Sequence, residues 1–135
     1  MILELALTDQ LPSGKNAIKE TYINGKKIRY PNKRFKGWRD AAATEIIIQR
    51  AKWPTALKMA LPLRGDLIMT VSYRELIPVP ARGDRDVTGM QDALQHLLEY
   101  CEVIENDGQI KSLTWGYPWR IEGPCAIICL TTAYA

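Results

Sequence analysis

Residues 86–110 read DVTGMQDALQHLLEYCEVIENDGQI, and the fold turns on how the middle of this stretch is paced. Met90, Ala93, Leu94, Leu97, Leu98 and Cys101 recur at i, i+3, i+4 intervals, the apolar face of a helix over 90–101. Thr88, Asp92, His96 and Glu99 fall on the other side. VIENDGQ (103–109) interrupts the rhythm as a turn, and QIKSLTWGYPWR (109–120) follows with strand alternation. Upstream, GDLIMTVSYREL (65–76) alternates as a strand, and LIPVPARGDRD (76–86) is loop by its two prolines and glycine.

Working outward, ILELAL (2–7) reads as a strand and TDQLPSGKNAI (8–18) as a loop. ETYINGKKIRY (20–30) carries Asn24-Gly25 between alternating residues, a hairpin signal. Residues 34–52 read as a helix: Trp38, Ala41, Ala42, Glu45, Ile46 and Gln49 share one face, and Pro54 ends the run. PCAIICLTTAY (124–134) is a last strand. The order strand, hairpin, helix, strand, helix, strand, strand predicts an α/β (α+β) fold. It would be a single domain over residues 1–135, with a mixed β-sheet, an N-terminal hairpin and two main helices layered on one sheet.

A chain of 135 residues with 47% hydrophobic content can bury a core without disulfides. Its three cysteines, Cys101, Cys125 and Cys129, lack zinc-site spacing and are expected as reduced, partly buried thiols. MILELALTDQ (1–10) has no basic n-region, and no run reaches the roughly 20 apolar residues of a spanning helix. A soluble cytoplasmic protein with no membrane association is expected. The charge is uneven: residues 1–60 carry 12 Lys/Arg against 5 Asp/Glu, and residues 61–135 carry 6 against 10. That split suits an enzyme that grips a polyanion with one part and a cation with the other, and equally an ordinary uneven surface.

Asp84 and Asp86 precede the second helix, and Asp107 lies in the turn after it. If the return segment folds back beside the helix start, paired carboxylates offer hard oxygen ligands for Mg²⁺. Otherwise they are solvated charges, with Asp86 favoured at a helix N-terminus and Thr88 as the cap.

The same segment resembles the signature of the RusA-type Holliday junction resolvases, compact homodimeric Mg²⁺-dependent endonucleases common in prophages. That family shows Asp-x-Asp-Asn-Leu-x-Lys at a helix start, an Asp and a Leu further along, then Asp-Asp-x-Gln-Val/Ile. END-G-QI (105–110) is the most specific match. The front of the chain is similar too: a loop with Pro12 and Asn16, a short hairpin, a basic helix with Trp38-Arg39, and a strand before the acidic motif. In the ungapped register Asp86 takes the first aspartate and Asp107 the last. Thr88 then replaces the second aspartate, Gly89 the asparagine, Asp92 the lysine and His96 the mid-helix aspartate. Pairing Asp84 with Asp86 instead requires a two-residue deletion, which turns the rest of a helix by about 200°. The ungapped register is preferred.

The resemblance implies an endodeoxyribonuclease that resolves four-way or other branched DNA, in a bacterial or phage-encoded, nucleoid-associated homodimer. Asp86 and Asp107 would bind Mg²⁺, or Mn²⁺ in its place, with Asp84 or Asp92 completing the site. A junction-binding protein that has lost catalysis is the alternative, motivated by Thr88 and the absent lysine. His96 reads as a surface histidine, a neighbour of the acidic cluster, or a general acid/base. The expected DNA contacts are Lys15, Asn16, Lys26, Lys27, Arg29, Lys33, Arg34 and Lys36, with Tyr22, Tyr30, Phe35 and Trp38 interleaved and Trp38 assigned to the core. Trp115, Tyr117 and Trp119 alternate as a core or dimer face, or as a stacking surface.

Overall fold

The computed structural model describes residues 3–12, 18–31, 33–74, 87–116 and 123–133. The chain is a mixed α+β fold of six strands and three α-helices among these residues. Strand β1 (Leu3–Leu7) is followed by β2 (Ile18–Ile23), β3 (Lys26–Pro31), α1 (Lys33–Arg50) and α2 (Thr55–Met59). Then come β4 (Leu67–Tyr73), α3 (Val87–Tyr100), a 3-10 turn (Asp107–Gln109), β5 (Ile110–Gly116) and β6 (Ala126–Thr132).

Four strands form a mixed sheet in the order β1-β6-β4-β5. Strand β6 pairs antiparallel with both β1 and β4, while β4 and β5 run parallel. Parallel neighbours need a crossover, and α3 supplies it. The register aligns Leu5, Ile128 and Val71 across the sheet, and Leu3, Leu130 and Met69 beside them. All six are buried, in one core with Ala42 and Ile46 of α1 and Met90, Leu94, Leu97 and Leu98 of α3. The strand period of two and the helix period of 3.6 therefore meet in one layer.

The hairpin does not extend this sheet. β2 and β3 pair with each other in a separate two-stranded ribbon, which corrects the expectation of a single sheet. Asn24 and Gly25 both take positive φ, 51° and 77°, as a two-residue hairpin turn requires. The short helix α2 was also not expected. Five residues after Pro54 are too few to show a helical period, and none of them is buried. In α1, Ala43 is buried where Ala41 was expected, so the packed face is Phe35, Ala42, Ala43 and Ile46.

Beside β1, the side chain of Gln49 accepts from the Ala6 N–H at 2.8 Å and donates to the Ala6 carbonyl at 2.7 Å. Glu45 accepts from the Thr8 N–H at 3.0 Å and from its hydroxyl at 2.6 Å. Helix α1 thus satisfies this edge with side chains, a way of blunting a strand that would otherwise invite pairing. No described helix is long and apolar enough to cross a membrane.

Candidate functional site

Helix α3 presents its apolar face as expected: Met90, Ala93, Leu94, Leu97 and Leu98 are buried. Its first residue is Val87, so Thr88 lies inside the first turn and is not the cap. Asp84 and Asp86 lie outside the described residues, as do Lys15 and Asn16. Asp92 is exposed on α3.

The helix ends without glycine. Glu102 adopts a left-handed conformation (φ 57°), the Glu102 N–H donates to the Glu99 carbonyl at 3.0 Å, and the Val103 N–H donates to the Leu98 carbonyl at 2.9 Å. This is a Schellman arrangement with an acidic residue where glycine is usual.

Next comes the turn that carries END-G-QI. Asn106 and Gln109 form a reciprocal capping box around the 3-10 turn. The Gln109 side chain is buried and makes four hydrogen bonds. Its oxygen accepts from the N–H groups of Glu105 and Asn106 at 2.6 and 3.0 Å. Its amide donates to the carbonyls of Leu63 and Gly65 at 2.8 and 2.9 Å. Leu63 and Ile104 are joined by a parallel bridge. Asn106 and Gln109, the most specific residues of the resemblance, are thus engaged in holding the turn. Asp107 opens the 3-10 turn and is exposed.

The topology decides where Asp107 sits. Ile110 pairs with Leu67 at the start of β4, and the turn packs against the end of α3. Asp107 therefore stands at the Tyr100 end of α3. A 14-residue helix rises about 20 Å, so this end is far from Val87. The return segment does not fold back beside the helix start. Among the described residues, no group of three or more His, Cys, Asp or Glu could hold a metal. The exposed carboxylates of Asp92 and Asp107 have the donor chemistry Mg²⁺ prefers, on separate elements.

His96 is neither a surface histidine nor aimed at a described carboxylate cluster. It packs edge-on to Phe35 of α1 (centroids 5.3 Å apart) and stacks with Tyr100 (6.4 Å). The Arg39 guanidinium lies 4.1 Å from the Tyr100 ring centre. The His96 Nε2 and the Trp38 Nε1 are buried with no hydrogen-bond partner among the described residues. Burial, then Arg39, pushes the His96 pKa below its ordinary value, partly opposed by Glu99. Periodicity put His96 on the polar side. The reason it is half-buried is α1, whose docking could not be read from α3 alone.

A groove of about 570 Å³ opens between α1 and the end of α3, lined by Asp40, Ile47, Arg50, Tyr100 and Glu102 among others. Neither Asp92 nor Asp107 lines it.

The basic residues are better placed for a shared role. Lys26 and Lys27 are exposed at the ribbon tip, and Arg29 lies on β3. Lys33, Arg34 and Lys36 are exposed on the first turns of α1, which begins two residues after β3 ends. No acidic residue occurs in that first turn. Trp115 is half-buried against the core, edge-on to Tyr73 at 5.4 Å, which favours packing over base stacking. Tyr117 and Trp119 lie outside the described residues. No family model matches the chain, and no curated protein matches it.

Proposed function

We propose that this chain is a RusA-like, Mg²⁺-dependent endodeoxyribonuclease acting on branched DNA such as a four-way junction. The observation that carries the reading is the turn at Asp107. Its motif neighbours Asn106 and Gln109 lock the backbone, and the Asp107 carboxylate is exposed beside them. The exposed Lys26, Lys27, Lys33, Arg34 and Lys36 supply the cations that hold DNA phosphates, with Arg29, Lys15 and Asn16 completing the set.

Asp107 and Asp92, with Asp86 and Asp84, are the proposed ligands. Bound Mg²⁺, or Mn²⁺ in its place, supplies an activated water and neutralises charge on the scissile phosphate. α3 holds Asp107 away from its own first turn, so within one chain Asp107 stands apart from the start of that helix. In a homodimer with the two α3 helices antiparallel across a two-fold axis, Asp107 of one copy would approach the N-terminal half of α3 in the other. Dimerisation would then complete each site as well as pair the two cuts.

The same separation favours a second reading, a branched-DNA-binding protein that does not cut. The test is a four-way junction incubated with Mg²⁺ or Mn²⁺. Cutting by the wild type, and its loss in Asp107→Asn with binding retained, supports the nuclease. Undiminished cutting by Asp107→Asn sinks the site. Tight junction binding with no product under either metal supports the second reading.

A further inference from the structure

The ribbon tip carries apolar side chains that no fold requirement explains. Tyr22 is 70% exposed and Ile23 is 54% exposed, immediately before the Asn24-Gly25 turn. Neither belongs to the core. Their cross-strand neighbours are Lys27 and Lys26, both exposed. Consecutive strand residues point to opposite faces, so the tip offers an aromatic ring on one face and a branched aliphatic chain on the other. Each has an ammonium-bearing residue directly across the ladder.

We propose that Tyr22 and Ile23 form a wedge that enters the opened centre of a branched DNA and covers the base faces exposed there. This rests on the reading that the chain binds branched DNA. A continuous duplex keeps its bases stacked, and inserting an apolar side chain costs unstacking energy. At a branch point stacking is already interrupted, so both faces of the wedge find uncovered bases without that cost. Lys26 and Lys27 neutralise the flanking phosphates. Charge alone binds any DNA, because phosphates carry no information about branching. The wedge gives the ribbon a preference that its lysines cannot.

The experiment uses a four-way junction with 2-aminopurine at the branch point, and a linear duplex of the same arm sequence. The proteins are wild type, the Tyr22→Ala, Ile23→Ser double variant, and the Lys26→Ala, Lys27→Ala double variant. Wild type binds the junction more tightly and lowers 2-aminopurine fluorescence, because a base covered by the wedge is quenched. The apolar variant binds duplex as wild type does, loses roughly five- to a hundredfold of its junction preference, and leaves the fluorescence unchanged. The lysine variant weakens binding to both DNAs alike. An apolar variant that keeps the wild-type preference and fluorescence overturns the wedge alone. A wild type with no junction preference overturns the branched-DNA reading and the wedge with it.

Discussion

The buried side-chain amide of Gln109 donates to the main-chain carbonyl of Leu63 at 2.8 Å, fastening the turn after α3 to the segment that leads into β4. The same amide reaches Gly65, and its oxygen holds the N–H groups of Glu105 and Asn106. Truncation would strip one side-chain partner from four backbone groups at once. Gln109→Ala is expected to cost about 3 kcal/mol, the scale of leaving buried polar groups unsatisfied. Urea denaturation measures it, and a loss below about 1 kcal/mol would show that water replaces the amide.

Glu102 sits at a left-handed position that glycine occupies without penalty. Glu102→Gly is expected to stabilise the fold by about 1 kcal/mol, seen as a later urea midpoint with an unchanged slope. Glu102→Ala, which keeps the Cβ and removes the rest of the side chain, should give none of that gain.

His96 makes stability depend on pH, and the sign follows from its lowered pKa. The unfolded chain takes up the proton near pH 6.5, while the folded chain resists until a lower pH. Between those values the unfolded state binds more protons, so stability falls as pH falls. It is fully present above about pH 6.5 and declines as the pH drops toward the folded value. Charging the ring also places a cation beside Arg39. Denaturation midpoints at several pH values below neutrality should drop for wild type and drop less for His96→Phe.

The placement of Asp107 at the far end of α3 from Val87 yields a complementation test. Asp92→Asn and Asp107→Asn should each cut a junction poorly. If sites form between copies, a mixed dimer has one site with both changes and one with neither, so mixing the two inactive variants restores cutting. If each site lies within one chain, mixing restores nothing. Full activity in Asp92→Asn alone would remove that residue from the site.

Much of this fold was legible because long periodic segments carry their own signal. The α3 face from Met90 to Leu98 and the Asn24-Gly25 hairpin needed no tertiary context. What depended on context was not legible. The ribbon standing apart from the sheet, Ala43 displacing Ala41, and His96 lodged against Phe35 are set by how elements dock. The turn at 105–110 was conspicuous in the sequence, but its letters mix two roles. Gln109 serves the backbone, whereas the exposed Asp107 takes no part in the capping box. Asp84 and Asp86 stay proposed ligands on the strength of the resemblance, whereas the spacing of Asp107 from the helix start comes from topology.

The hydrogen bonds from Gln49 and Glu45 to β1 have a mechanical consequence. They clamp the C-terminal half of α1 to the sheet, on the helix whose opening turns display Lys33, Arg34 and Lys36. A polyanion pulling on those cations works against a helix anchored to the sheet, and a side-chain hinge there is suppressed. If DNA is the ligand, as proposed, the backbone positions of these cations are set before it arrives, and a mismatch in phosphate spacing falls to the long side chains and to bending of the DNA.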